Sequence, residues 1–306
     1  MLKKSVLADG VLLLVAFVWG TTFVLVQNAI SFLHPFSFNG IRFLIAGLFL
    51  LLFILLYKLK LLKEIDRSLL ISGMVLGIWL FLGYAFQTFG LLYTTSSKAG
   101  FITGLSVVLV PLFAVFLTKS KLTRNGIIGA LVATVGLYML TIGDRISMNN
   151  GDVLVFFCAI SFAMHIILTG KYTNRYSSLL LTVIQVFTVS ILSLLLAFLF
   201  EDWESQLQFN ILFKNEVFIA LGITSIFATA LAFLAQTTFQ KSTTPTRVAL
   251  IFATEPVFAA LAGYLWANEQ LSHIAIIGCI CIFVGMICSE LPQKKKNVGI
   301  LDKVNI

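Results

Sequence analysis

The sequence predicts an all-α integral membrane fold of ten transmembrane helices, arranged as two five-helix repeats inserted in opposite orientations. Three observations carry that prediction: a very apolar composition, ten apolar stretches that use up most of the chain, and an internal repeat at a nearly fixed offset. Of 306 residues, 59% are hydrophobic and 11% charged, against roughly half and roughly a quarter in an ordinary soluble domain. A soluble fold cannot hide that much apolar surface, so lipid must cover it. Crossing hydrocarbon takes about 20 apolar residues per helix. Stretches of that kind lie near residues 8–28, 36–57, 68–92, 98–118, 124–142, 151–170, 178–200, 216–239, 246–266 and 273–290. No length remains for a separate soluble domain.

Taken in order, the first stretch follows Met1-Leu2-Lys3-Lys4 and stays apolar to about residue 28 without a small-residue cleavage site. It reads as a retained span rather than a secretory signal. Lys58, Lys60, Lys63 and Arg67 separate the second and third spans, and Lys119, Lys121 and Arg124 follow the fourth. Lys171 and Arg175 follow the sixth, and Lys241 and Arg247 lie between the eighth and ninth. Together with the two terminal segments, these loops hold 17 of the 21 Lys and Arg, while Lys98, Arg145 and Lys214 fall on the other side and Arg42 lies within a span. Basic loops stay on the cytoplasmic side during insertion. That places both termini in the cytoplasm and the chain in the plasma membrane. The formal charge of +8 is therefore a record of membrane insertion, and no nucleic-acid partner is expected. Cys158, Cys279, Cys281 and Cys288 all fall in apolar stretches, and Cys279 and Cys281 point to nearly opposite sides of a helix. They read as small apolar filler, with neither a disulfide frame nor a metal site, and no cofactor is expected.

The repeat is visible at two offsets. A shift of 143 sets Asp9 on Asp152, Ala16 on Ala159, Trp19 on Phe162, Ile41 on Ile184 and Arg42 on Gln185. Beyond the longer loop at 201–215 a shift of 149 sets Gly73 on Gly222, Gln87 on Gln236, Thr88 on Thr237 and Thr94-Thr95 on Thr243-Thr244. The same shift sets Lys98 on Arg247, Leu122 on Leu271, Ile127-Ile128-Gly129 on Ile276-Ile277-Gly278 and Val135-Gly136 on Val284-Gly285. Paired Gln, Thr-Thr and Gly at one offset do not arise from apolar composition alone. The units are residues 1–145, residues 146–291 and a basic cytoplasmic tail at 292–306. An odd number of spans per unit turns the second unit upside down. Inverted repeats are a common architecture of secondary transporters, which open a central site to one side and then the other.

The chain resembles the EamA-type transporters of the drug/metabolite transporter superfamily. The resemblance is carried by Val18-Trp19-Gly20-Thr21-Thr22-Phe23, by Arg42-Phe43, and by the run from Tyr93 to Leu105 with Thr94-Thr95-Ser96-Ser97-Lys98-Ala99-Gly100 at its head. In the second half it is carried by Thr243-Thr244-Pro245-Thr246-Arg247, Thr254-Glu255-Pro256-Val257-Phe258-Ala259-Ala260 and Asn268-Glu269-Gln270-Leu271-Ser272. It implies the drug/metabolite transporter fold, with a central cavity lined by the first four helices of each half and peripheral fifth and tenth helices. It also implies a small-molecule substrate, an amino acid, nucleoside or other metabolite, and efflux as the direction of transport. Two departures make the halves unequal: Phe162-Ala163 stands where the family often has tryptophan, and Gln185 stands opposite Arg42.

Eight residues are candidates for the substrate pathway: Trp19, Arg42, Tyr84, Gln87, Lys98, Gln236, Arg247 and Glu255. Glu255 lies about nine residues into its span, roughly 14 Å at 1.5 Å per residue, near the midplane. A carboxylate there costs several kcal/mol unless paired, protonated or facing water. It reads as a proton carrier or amine receptor, or else as an interhelical lock beside the Pro256 kink. Arg42 is expected near the outer interface, snorkelling toward headgroups or holding a substrate carboxylate. Lys98 and Arg247 begin equivalent helices on opposite faces and read as interfacial anchors or gate charges. Gln87 and Gln236 must find partners in lipid, either a substrate or a neighbouring helix, and Tyr84 shares a face with Gln87. Trp19 beside Gly20 reads as packing or as a cavity wall. His165 reads as a satisfied packing histidine, with a proton relay as the alternative.

There is no phosphate loop, paired-His helix or Gly-x-Ser-x-Gly elbow, so an enzyme is not expected. The sequence leaves a lipid-intermediate enzyme and a non-transporting assembly or sensor subunit as the competing readings, and it is compatible with a homodimer. No charge ring or carbonyl filter suggests a channel.

Overall fold

The computed structural model describes residues 2–94, 96–118, 123–141, 149–202, 208–266 and 272–290. Among these residues every regular element is helical. The helices are α1 (Leu2–Ala29), α2 (Pro35–Tyr57), α3 (Arg67–Gly90), α4 (Ser96–Gly104), α5 (Ser106–Thr118), α6 (Arg124–Thr141) and α7 (Asn150–Tyr172). They continue with α8 (Ser178–Phe200), α9 (Asn215–Ile223), α10 (Ala232–Gln240), α11 (Pro245–Phe252), α12 (Glu255–Trp266) and α13 (His273–Glu290). A π-helical segment, Thr224–Leu231, joins α9 to α10 in one continuous 26-residue span.

Eight of the apolar helical stretches are long enough to cross a membrane, and Arg124–Leu140 and His273–Cys288 are shorter apolar helices. The sequence expectation of ten full spans is met in length by eight, because a 17-residue helix reaches only about 25 Å at 1.5 Å per residue. Large apolar side chains such as Leu48, Phe49, Leu52, Phe53, Phe198 and Leu199 project outward, an arrangement stable only against lipid. Helix starts follow ordinary rules. Asp66 accepts the amide of Leu69 at 2.6 Å, Asn149 and Asp152 form a reciprocal capping box, and Pro35 and Pro245 occupy first-turn positions.

Repeat-related helices pack against each other antiparallel. A Cβ on Gly136 would meet the Gly278 carbonyl oxygen at 2.6 Å, and one on Gly285 would meet the Gly129 carbonyl oxygen at 2.6 Å. These crossed contacts require α6 and α13 to run in opposite directions with their backbones touching. Such close approach replaces the hydrophobic force that lipid does not supply. In the same sense Gly40 of α2 abuts Leu194 of α8, while Gly47 abuts Phe187.

Two helices are broken, at equivalent places. Leu105 interrupts α4 and α5, and Ala253-Thr254 interrupts α11 and α12. The 149-residue shift carries Leu105 onto Thr254 and Ser106 onto Glu255. Pro256 explains the second break, since it has no N–H to continue the ladder and fits only in a first turn. The interruption falls just before Pro256, where the sequence predicts a kink.

Candidate functional site

One cavity lies where the two halves meet, with water-sized space of about 80 Å³. α1, α2, α3, α4 and α5 border it from the first half, and α7, α10, α11 and α12 from the second. Six of the eight sequence candidates line it: Trp19, Arg42, Tyr84, Gln87, Gln236 and Glu255.

Arg42 is only 3% exposed. Its Nε donates to Thr229 Oγ1 at 2.7 Å and Nη2 reaches the Ala228 carbonyl at 3.5 Å. The guanidinium carbon stands 5.0 Å from the Tyr84 ring centre and 5.5 Å from that of Phe43, a cation–π setting. The snorkelling expectation is therefore corrected: Arg42 turns inward because the π segment offers it acceptors. A π turn loosens the regular carbonyl pairing of a helix, and here the Ala228 carbonyl also accepts Trp19 Nε1 at 2.7 Å. Trp19 is both packed and part of the wall, with its ring 4.9 Å from Phe252 and 5.3 Å from Phe233. The repeat mate of Arg42, Gln185, is fully buried and binds His165 and Thr237 instead.

Glu255 opens α12 and faces the cavity, half-buried. Among the described residues no group hydrogen-bonds its carboxylate. The interhelical-lock reading finds no partner there. Its neighbour across the helix contact is Gly20, where a Cβ would meet Phe258 Cβ at 2.7 Å and the Ala259 nitrogen at 2.9 Å. Only glycine lets α1 approach the start of α12 this closely. Gln87 Nε2 donates to Thr103 Oγ1 at 3.4 Å, and Gln236 Nε2 to Gln240 Oε1 at 3.4 Å. Tyr84 lies edge-on to Phe43 at 5.0 Å and to Phe162 at 5.5 Å.

Arg247 does not line the cavity. It forms an ion pair with Asp9, joining the beginnings of α11 and α1. The side chain of Lys98 lies outside the described residues. Asp152, the repeat mate of Asp9, accepts Thr94 Oγ1 at 2.5 Å.

Thr103, Ser106, Phe162, Phe233 and Phe252, none of them a candidate from the sequence, also line the cavity, and His165, expected as a packing residue, borders it too. Ser106 was within reach, since it is the repeat mate of Glu255. No sequence signal marks the π segment that holds Arg42.

The sequence pattern of the EamA-like transporter family matches twice, at residues 6–142 and at 149–290. An uncharacterized transporter of Archaeoglobus fulgidus is 35% identical over 288 residues, covering 94% of this chain and 87% of its own length. The uncharacterized transporter YvbV of Bacillus subtilis is 28% identical, with 95% and 96% of the two chains covered. A protein of known crystal structure shares the fold at a TM-score of 0.75 and 19% identity, covering 92% of this chain and 96% of that one.

Proposed function

Because the chain belongs to the EamA-like transporter family, we propose that this multi-pass membrane transporter is a secondary carrier working by alternating access, exporting an amino acid or similar small polar metabolite from the cytoplasm. The observation that carries the reading is a cavity lined from both halves, bordered by the Arg42 guanidinium and by the Glu255 carboxylate, which no described group hydrogen-bonds. The two matches of one family pattern and the antiparallel packing of repeat-related helices support an inverted duplication of ten spans. In that arrangement both termini are cytoplasmic and the membrane is the plasma membrane.

Alternating access fits the broken helices. Interruptions at Leu105 and at Ala253-Thr254 place two joints beside the cavity, at equivalent points of the two units. A water-sized space of about 80 Å³ is well under the roughly 300–1,000 Å³ of a typical ligand pocket, so cargo enters by moving helices apart. The Asp9–Arg247 pair then serves as a latch between α1 and α11. Arg42 receives an acidic group of the cargo, and Glu255 carries a proton or meets an amine.

Uptake and counterflow in proteoliposomes, with and without an imposed pH gradient, test the reading. Movement of at least one amino acid or related metabolite is expected, and a broad panel with no movement overturns it. Glu255→Gln should retain downhill exchange while losing the response to the pH gradient. An unchanged response removes Glu255 from proton coupling.

A further inference from the structure

We propose that part of the cavity wall is a receptor for a primary ammonium group, with His165, Gln236 and Glu255 each presenting one hydrogen-bond acceptor to it. The proposal rests on the carrier reading above and names the chemistry of its cargo.

Two buried relays behind the wall decide which atoms are left as acceptors. In the first, Thr237 has a single hydroxyl proton and gives it to the Phe233 carbonyl at 2.7 Å. Toward Gln185 it can therefore only accept, so Gln185 presents Nε2 to it at 3.2 Å and turns Oε1 to His165 Nε2 at 2.8 Å. A carboxamide oxygen accepts only, so His165 carries its proton on Nε2. The neutral ring then keeps Nδ1 as an acceptor. His165, Gln185 and Thr237 are 2%, 0% and 0% exposed, which shields this relay from water.

In the second relay the Ile166 carbonyl can only accept, so Gln240 donates Nε2 to it at 2.5 Å and offers Oε1 to Gln236 Nε2 at 3.4 Å. Gln236 is left with Oε1 buried and without a hydrogen-bond partner. A buried acceptor without a partner is unfavourable unless a ligand supplies the donor. Glu255 adds a carboxylate that no described group satisfies.

The donors around the same cavity are differently placed. Trp19 Nε1 donates to Ala228 and Gln87 Nε2 to Thr103, while Arg42, held through Nε by Thr229, keeps N–H groups for an acidic group of the cargo. Beside these donors, His165, Gln236 and Glu255 leave three acceptors unmet. A primary ammonium has three N–H donors and no acceptor, one for each of the three residues. The aromatic faces of Trp19, Tyr84 and Phe233 complete a surface suited to a cation.

The test uses the purified full-length chain and three probes of similar size: 2-phenylethylamine, its N,N,N-trimethylammonium analogue and 3-phenylpropionate. Binding is read by titration calorimetry. The primary amine should bind at least about tenfold tighter than the trimethyl analogue, which keeps the charge but has no N–H to give. The carboxylate, which has no ammonium N–H to give, should bind the parent and Gln236→Leu equally. Gln236→Leu and His165→Phe should each bring the amine-to-trimethyl ratio down to about threefold or less. Gln185→Leu, a positioning residue outside the cavity, should do the same by releasing the imidazole proton from Nε2. Equal binding of the two cations by the unaltered chain overturns the proposal without relying on any variant folding. An unchanged ratio in folded Gln236→Leu overturns it as well. If proteoliposomes carry other metabolites while none of the amines binds, the ammonium receptor fails and the carrier reading stands; if nothing is carried at all, the carrier reading fails with it.

Discussion

Arg42 and Glu255 are the two charges of the cavity, and the structure treats them in opposite ways. Arg42 is held by Thr229, by the Ala228 carbonyl and by the Tyr84 ring. Buried hydrogen bonds to charged groups contribute about 1.5–3 kcal/mol each, so Thr229→Val should lower the apparent melting temperature in detergent, and a melting temperature equal to the parent's would show that the contact contributes nothing. Glu255 has no such partner among the described residues. Glu255→Gln should accordingly leave stability within about 0.5 kcal/mol, as expected of a side chain without packing or pairing duties, while transport changes. A large loss of stability would instead restore the interhelical lock. At this scale the sequence told the right residue types but not their settings. A guanidinium seven positions into α2 could have snorkelled, and only the π segment, unmarked in the residues Thr224–Leu231, turns it inward.

The helices themselves were largely legible from the sequence. Apolar length and the alternation of basic loops placed the segments from α1 through α13, because lipid demands internally satisfied backbones and leaves little freedom. The interruptions were half legible. Pro256 signals a break before it, whereas Leu105 has no comparable signal and emerges only as the counterpart of Thr254 across the repeat. The peripheral pair α6 and α13 depends on backbone contact at Gly136 and Gly278 and contributes no residue to the cavity. Gly278→Val should therefore destabilise the protein, by about 1–3 kcal/mol for an overpacked contact, without altering cargo affinity. Thermal unfolding and substrate titration on one sample would check both halves of that statement. Gly20→Val is expected to behave differently, because it pushes on Phe258 and Ala259 in the same helix that begins with Glu255. Cargo affinity should fall together with stability there, and unchanged affinity in a folded variant would detach α12 from the site.

For the whole molecule, the proposed arrangement of two units of opposite polarity in lipid accounts for both the cavity and the antiparallel pairs. The two halves differ at the site. Arg42 faces Gln185 across the repeat, Glu255 faces Ser106, and only the second unit carries the π segment. A symmetric frame thus holds an asymmetric lining, which is why internal sequence matching located the helices well and the site only in part. The proposed opposite polarity can be read from exposed positions in corresponding loops, Ser31 with Asn174 and Lys60 with Phe209. Single cysteines at these four positions, in a chain lacking Cys158, Cys279, Cys281 and Cys288, can be labelled from either face with a membrane-impermeant maleimide. With units of opposite polarity, Lys60→Cys and Asn174→Cys react from the cytoplasmic face, and Ser31→Cys and Phe209→Cys from the opposite one. Labelling of Ser31→Cys and Asn174→Cys from the same face would contradict it.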